Sequence, residues 1–597
     1  MSRRAVLLLP YAVFLLLAAV SWNRWIEPYV DTGRELMVPW RVAQGETLYR
    51  DVRFYYGPLA PWLAAGVDLA AGRTLAARIA LAALIALLHV EALRRLALRM
   101  LPAGHATVVT SLVVAVTFFL RPGGCHLFPY SLDTSIAVAA VTGALLLASA
   151  GGARGRDRGA AALLFAALLA RPELGLAGIG ALTLERLLGS DAAARRRLPL
   201  LAALPIGMAA VVYAVASAGT PLTILKKEGW LTFLFLPAEF RSVYTSFAGV
   251  DRPGLRGAEL ALAVIALGAI GLWLLLAALA SARARQGSPA TARAIEAGAV
   301  IALAVVGAVS LEPPAGVRDV LDLLPPLVRA VPPLLLAAAA VGAFRRLARR
   351  GGAPTLAGIP DSVLVVALFF AARLFLAAGY VGPYNGFYLP LPLLVTAALL
   401  LRAAGRLPAT WAPPPAAAVF GRLVAAAFVV FVAIRVGALF LHFRHPAWSR
   451  VSTPAGPLFV TEPVAGATRA ALVDLARRVP EGGAMTGFPE TGFLNWTLGR
   501  RNPLAQDQFF PGHLDSVAEE EVIARLAAAP PDAVVFVDVL TIGHGPAAFG
   551  RDYLQRLDRF VRERFEPAAS FGPGAGPAPR IGDPDFFVEI RVPRKPR

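Results

Sequence analysis

Apolar runs long enough to cross a lipid bilayer recur along this chain, and no other feature limits its fold so strongly. Inside lipid no water is available to the backbone, so a run of roughly 18–25 apolar residues must satisfy its own amides and carbonyls as a helix. About thirteen such runs are expected: residues 5–21, 74–98, 104–120, 131–150, 159–171, 173–188, 198–217, 258–281, 294–311, 331–344, 361–379, 387–401 and 416–441. Composition points the same way, with 57% of 597 residues hydrophobic and only 16% charged. The expected fold class is an α-helical polytopic membrane protein with a C-terminal soluble α/β domain. Runs 159–171 and 173–188 are short and separated by Arg171-Pro172-Glu173, which reads as a hairpin of two short helices or as one broken helix. The first run resembles a signal peptide, but bulky Trp22 and Trp25 follow it, and it is read as a retained signal-anchor.

The formal net charge is +19. On a soluble chain that would suggest nucleic acid; here the arginines gather at the ends of apolar runs, as the positive-inside rule requires, and a nucleic-acid partner is set aside. With the N-terminus inside, Arg3-Arg4, Arg94-Arg95-Arg99, Arg154-Arg156-Arg158, Arg195-Arg196-Arg197, Arg283-Arg285, Arg345-Arg346-Arg349-Arg350 and Arg402-Arg406 all fall on the cytoplasmic side. The loops left outside, among them "RPGGCHLFPYSLD", "EPPAGVRDVLDLLPP" and "GYVGPYNGFY", are rich in aromatics, Pro and Gly. Chemistry is therefore expected on the external face, together with a C-terminal domain over 445–597, where "DAVVFVDV" and "DFFVEIRV" read as strands and "TRAALVDLARRVP", "EEEVIARLAAAP" and "GRDYLQRLDRFVRERFEP" as helices. One cysteine, Cys125, excludes an intramolecular disulfide and a zinc-thiolate cluster. Walker A, G-x-S-x-G and HExxH motifs are absent.

The first external loop, 22–73, is denser in charge and aromatics than a plain connector. Leu36, Trp40 and Ala43 recur at helical spacing and Gly45 is a stop, giving a short amphipathic helix along the membrane surface. Asp31 falls at its start. Asp is a favoured N-cap, but the third residue on is Arg34 rather than the Glu or Gln of a capping box. Glu35 shares a helix face with Asp31, and two carboxylates with an arginine at a membrane surface are costly to keep for structure alone. Pro58 suits the first turn of a second helix ending at Gly72.

These residues carry a resemblance. The segment from Val30 to Ala80 resembles the start of the GT-C superfamily of polytopic glycosyltransferases, which includes protein O-mannosyltransferases, lipid A aminoarabinose transferases and bacterial RgtA/B/C/D-like proteins. The shared pattern is one helix, then an external loop opening on Asp, often "DE" or "DEGR", then a "PPL-x-x-W" step. Asp31-Thr32-Gly33-Arg34 answers the first and Gly57-Pro58-Leu59-Ala60-Pro61-Trp62 the second, with Gly72 to Arg78 leading into the next helix. The match covers roughly residues 5–100 and is otherwise one of span layout. Thr32 stands where many relatives have a second acid, and Glu35 is the nearest substitute.

The resemblance implies an inverting transfer in which an acceptor hydroxyl attacks the anomeric carbon of a polyprenyl-phosphate sugar. Such chemistry needs a carboxylate base and cations near the leaving phosphate. Asp31 is the expected base, with Glu35 beside it. Arg34, Arg50, Arg53, Lys226 and Lys227 are the expected phosphate-binding cations. Tyr56, His126, Asp133 and Glu173 are further candidates for the same cavity; His126 reads equally as a hydrogen-bonded structural residue and Glu173 as a partner of Arg171. Asp31, Glu35, Asp133 and His126 are the acids and imidazole available to a divalent cation, but their spacing matches no metal motif. The expected partners are a polyprenyl-phosphate sugar, a cell-envelope acceptor and membrane lipid, and the expected location is a bacterial inner membrane. The competing reading is a transporter or flippase of a lipid-linked glycan; such proteins carry ionisable residues mid-membrane and paired repeats, whereas the charges here crowd one face and no repeat is evident. A non-catalytic envelope scaffold is a third reading.

Overall fold

A computed structural model of the chain describes residues 7–119, 125–128, 131–149, 154–188, 192–235, 253–311, 333–342, 344, 359–376, 385–404, 413–537, 548–572 and 586–595. Arg3-Arg4, the "EPPAGVRDVLDLLPP" loop, Arg345 to Arg350, Arg406 and parts of the other loops expected outside fall beyond that set.

Helices stand where apolar runs were expected. In chain order they include α1 (Leu9–Ser21), α2 (Thr32–Ala43), α3 (Leu59–Ala71), α4 (Leu75–Met100), α5 (Ala103–Thr117), α6 (Leu132–Ala148), α7 (Arg154–Ala170) and α8 (Pro172–Leu188). After a π-helical turn, Pro199–Ala203, come α9 (Leu204–Ala216), α10 (Leu222–Glu228), α11 (Pro253–Ala284), α12 (Pro289–Leu311), α13 (Asp361–Leu376), α14 (Pro390–Ala404) and α15 (Pro414–Arg444). A further helix spans Pro333–Gly342. Among the described residues four helices are long and apolar enough to cross a membrane by length and composition: Leu75–Met100, Pro199–Ala216, Pro289–Val306 and Pro414–Arg444.

Pairwise contacts give the bundle two chemically distinct ends. Asp157 of α7 pairs with Arg186 of α8 at 3.2 Å, and an added Cβ at Gly175 would meet Leu168 at 2.7 Å while one at Gly178 would meet Leu164 at 2.9 Å. Residues equidistant from Arg171 are thus neighbours, so α7 and α8 are an antiparallel hairpin with Arg171-Pro172 at its tip. Pro172 begins α8 because its missing N–H is no loss at a first helical position. At the far end Asp157 also takes Arg197 at 2.7 Å, and Arg99 donates to the Leu146 carbonyl and to Ser149 Oγ. Helices α4 and α6 therefore run in the same direction, with α5 returning between them. The near end of α4 holds Arg78, which grips Asp68 at 2.6 and 2.9 Å, both side chains buried.

The C-terminal part follows α15 with an antiparallel pair, β1 (Trp448–Val451) and β2 (Leu458–Thr461), and then α16 (Glu462–Arg478). Its main sheet has the order β3-β4-β6-β5, from β3 (Met485–Phe488), β4 (Ala533–Val537), β5 (Phe565–Phe571) and β6 (Val588–Pro593). Strands β3 and β4 are parallel, and the other neighbours are antiparallel. The parallel pair needs a crossover, which holds α17 (Gly492–Leu498) and α18 (Ser516–Ala528); the polar segment between these helices lies against the first loop. The last helix, α19 (Gln555–Arg564), starts after Leu554, which has φ +50°.

Candidate active site

Asp31 stands at the N-cap position of α2 with φ +58°, a left-handed conformation that Asp tolerates better than most side chains. Its carboxylate makes no capping bond. Glu490, just past β3, does that work: its Oε2 accepts the Asp31 N–H at 2.6 Å and its Oε1 the Arg34 N–H at 3.3 Å. The approach requires two glycines. A Cβ on Gly33 would lie 2.7 Å from Glu490 Oε1 and 3.0 Å from the Gly492 Cα, and one on Gly492 would lie 3.0 Å from Met37. Helices α2 and α17 can touch backbone to backbone only because both positions lack a side chain.

The Asp31 carboxylate engages Gln508 and Arg34. Gln508 Nε2 donates to Asp31 Oδ1 at 2.7 Å and to Glu490 Oε2 at 3.0 Å, while its Oε1 accepts from Arg34 Nη1 at 3.2 Å. Arg34 Nη1 lies 3.7 Å from Asp31 Oδ1, and Arg34 Nη2 donates to Glu35 Oε1 at 2.9 Å. The other Glu35 oxygen accepts the Leu132 N–H at 3.3 Å, joining the first loop to the start of α6. Next in that helix, Asp133 is fully buried, and among the described residues neither of its carboxylate oxygens has a hydrogen-bond partner. Glu490 is also fully buried, and burial together with the adjacent Asp31 charge pushes its carboxyl up to about 8.

The hairpin tip meets this cluster through Tyr56. Gly57 donates its N–H to the Ala170 carbonyl at 3.1 Å; a Cβ there would stand 2.0 Å from the Leu169 carbonyl oxygen. So close a contact sets the Tyr56 ring beside two guanidinium groups, with Arg171 4.1 Å and Arg34 5.1 Å from its centroid. Arg171 Nε also donates to Thr134 Oγ1 at 3.0 Å.

Of the residues singled out from sequence, Asp31, Arg34, Glu35, Tyr56 and Asp133 are linked into this one cluster, and Glu173 borders it, 3.7 Å from Arg171 and 3.9 Å from Arg373. The remaining cations have other partners. Arg50 is exposed and pairs with Asp51 at 3.0 Å. Arg53 is buried, donating to the Tyr49 and Arg50 carbonyls and lying 3.5 Å from Glu228. Lys227 forms an ion pair with Asp515, and Lys226 Nζ lies 4.4 Å above the Phe235 ring. His126 is stacked on Phe118 at 4.0 Å, with Nε2 on the Gly386 carbonyl and Nδ1 on Ser135 Oγ.

Among the described residues no three His, Cys, Asp or Glu side chains converge as a metal-binding group. Both His126 nitrogens and both Glu35 oxygens already have hydrogen-bond partners.

Glu490, Gln508 and Arg171 are the members of the cluster that sequence reasoning missed. Arg171 had a signal, the charged break in an apolar run. Glu490 and Gln508 had only their place in polar stretches of the C-terminal part, "FPETG" and "AQDQFF".

No protein-family model and no curated protein matches the sequence. Solved structures of similar layout include ArnT from Cupriavidus metallidurans bound to undecaprenyl phosphate, at 17% identity over 99% of this chain and 98% of that one, with a TM-score of 0.44. The archaeal oligosaccharyltransferase AglB from Archaeoglobus fulgidus, in complex with an inhibitory peptide and a dolichol-phosphate, is 13% identical over 99% of this chain and 76% of that one, TM-score 0.48. The apo form of the Archaeoglobus fulgidus oligosaccharyltransferase is 13% identical over 96% and 73%, TM-score 0.49. With every score below 0.5, the functional reading of this chain rests on its own residues.

Proposed function

We propose that the chain is an integral-membrane glycosyltransferase that moves a sugar from a polyprenyl-phosphate donor to a hydroxyl of a cell-envelope acceptor on the external face. The observation that carries this reading is the convergence of Asp31, Glu35 and Asp133 with Arg34 and Arg171 at one end of the helix bundle. Displacement of a phosphate by an alcohol calls for both a carboxylate and cationic groups, and this cluster holds both. The resemblance of residues 31–34 and 57–62 to the GT-C pattern supports the same chemistry.

In this mechanism the acceptor oxygen forms a bond to the anomeric carbon as the bond from that carbon to the phosphate oxygen breaks on the opposite face, inverting the centre. Asp31 takes the hydroxyl proton. It is suited to this because its backbone is pinned by Glu490 and one of its oxygens by Gln508, while 15% of its side chain remains accessible. Arg34 and Arg171, both set against the Tyr56 ring, offset the charge that grows on the departing phosphate. Asp31 lies in the first external loop when the N-terminus is cytoplasmic, so the reaction faces the extracytoplasmic side.

The test uses full-length protein in proteoliposomes, undecaprenyl-phosphate-linked [14C]hexose or [14C]pentose as donor and a cell-envelope extract as acceptor. Transfer releases undecaprenyl phosphate and labels the extract. Movement of intact labelled lipid across the bilayer, with no cleavage, would instead establish the flippase reading.

A further inference from the structure

The C-terminal part does more than cover the bundle. Four consecutive residues, Ala505 to Gln508, each engage the external loops. The Ala505 carbonyl accepts the Arg53 N–H at 2.9 Å. Gln506 Nε2 donates to Glu228 Oε2 at 2.7 Å, and Asp507 accepts Arg41 Nη1 at 3.3 Å on each oxygen. Gln508 reaches Asp31, Arg34 and Glu490. The segment is fixed from its own side too: Asn502 Nδ2 donates to the Gln506 carbonyl and to Asp507 Oδ1, both at 2.8 Å, and the Phe509 N–H meets the Pro489 carbonyl at 2.8 Å. That last bond places Gln508 next to Glu490, and Phe509 packs against Phe488 with ring centroids 4.7 Å apart.

We propose that Glu490 and Gln508 are positioning residues for Asp31, so that the C-terminal part supplies half of the catalytic geometry. The inference rests on the reading of Asp31 as the general base. Glu490 holds the left-handed turn at Asp31 through two backbone N–H groups, and Gln508 sets the carboxylate's rotation by donating to Oδ1 while tying down Arg34. A base aimed wrongly by about 1 Å loses on the order of a hundredfold in rate, whereas Glu490 hydrogen-bonds Arg34 only through its backbone N–H and leaves the guanidinium to the lipid phosphate.

The experiment compares Glu490→Ala, Glu490→Gln and Gln508→Ala in the full-length protein, with release of undecaprenyl phosphate from the labelled donor as the rate and hydrogen exchange over residues 29–36 as a direct reading of the clamp. Glu490→Ala is expected to lower kcat on the order of a hundredfold, to leave the donor KM within about threefold, and to speed exchange at Asp31 and Arg34. Glu490→Gln, which keeps an oxygen for the Asp31 N–H, restores most of both. If Glu490→Ala does not fold, Gln508→Ala carries the test: it leaves both backbone bonds in place and is expected to lower kcat and, by freeing Arg34 Nη1, to raise the donor KM as well. Unchanged kcat in the folded Glu490→Ala or Gln508→Ala proteins, with Asp31→Asn inactive, overturns the positioning role and spares the proposed function. An active Asp31→Asn protein overturns the choice of base, and unchanged exchange in Glu490→Ala overturns the clamp by itself.

Discussion

The backbone N–H of Asp31 donates to Glu490 Oε2 across 2.6 Å. A partly exposed acid is thereby fixed by an acid that solvent does not reach. One is suited to take a proton and the other to hold the first in place, although both are carboxylic acids.

Asp31→Asn keeps the size of the side chain and its carbonyl oxygen for Gln508 but removes its basicity. Transfer should fall by about 10²–10⁴-fold, the usual contribution of a general base, with thermal stability close to wild type. Turnover with undecaprenyl-phosphate-linked sugar checks the first and detergent-solubilised melting the second.

Glu490 makes stability depend on pH in a direction fixed by its raised pKa. Between the ordinary carboxyl value of 4.5 and about 8 the folded protein retains a proton that the unfolded chain has released, so stability falls as pH rises through that window and levels off above it. Burial also raises the Glu228 carboxyl against the opposing effect of Arg53, adding a slope of the same sign. Glu490→Gln should flatten the dependence without abolishing it. Melting temperatures from pH 5 to pH 9 measure this, and identical slopes in the two proteins would contradict it.

Gly57 and Gly66 should respond to alanine in opposite ways. At Gly57 the new Cβ would stand 2.0 Å from the Leu169 carbonyl oxygen and 2.6 Å from the Tyr213 hydroxyl, so Gly57→Ala must separate the first loop from the hairpin tip, costing at least about 1–3 kcal/mol and moving Tyr56 off Arg171. At Gly66, inside α3 and with nothing within 4 Å, alanine should stabilise by about 0.5–1 kcal/mol. Expression level and melting temperature distinguish the two.

Arg171→Lys retains a positive charge but gives up the planar contact with Tyr56 and the Nε bond to Thr134. If the guanidinium plane is what orients the leaving phosphate, the substitution should lower kcat about tenfold, most of what Arg171→Ala costs, because Arg and Lys are not interchangeable at stacked sites. Lysine at full activity would reduce Arg171 to a point charge.

Local patterns made much of this molecule legible and hid the rest for a definite reason. Leu36 and Trp40 with a stop at Gly45 gave α2, Pro58 gave the start of α3, and "DAVVFVDV" gave β4, because each signal lies within a few residues of the element it specifies. The Arg171-Pro172 break was visible, but the Asp157–Arg186 pair and the approach of Gly175 to Leu168 and Gly178 to Leu164 decide for a hairpin. Strand β3 has only four residues and was missed, and β5 begins inside the stretch Gly550 to Pro567 that was read as helix. Asp31 was legible as a member of the cluster from its motif, Arg34 and Glu35 from their neighbourhood; Glu490 and Gln508 were not, since no periodicity encodes which distant polar segment will settle against a loop.

Ribosomal synthesis delivers Asp31 long before its clamp. Glu490 follows it by 459 residues, which at about 5–20 residues per second is roughly 20 to 90 seconds of elongation. Through that interval the left-handed turn at Asp31 lacks the partner that holds it, and a truncated translation product that stops before the crossover segment carries the acidic loop without Glu490 or Gln508.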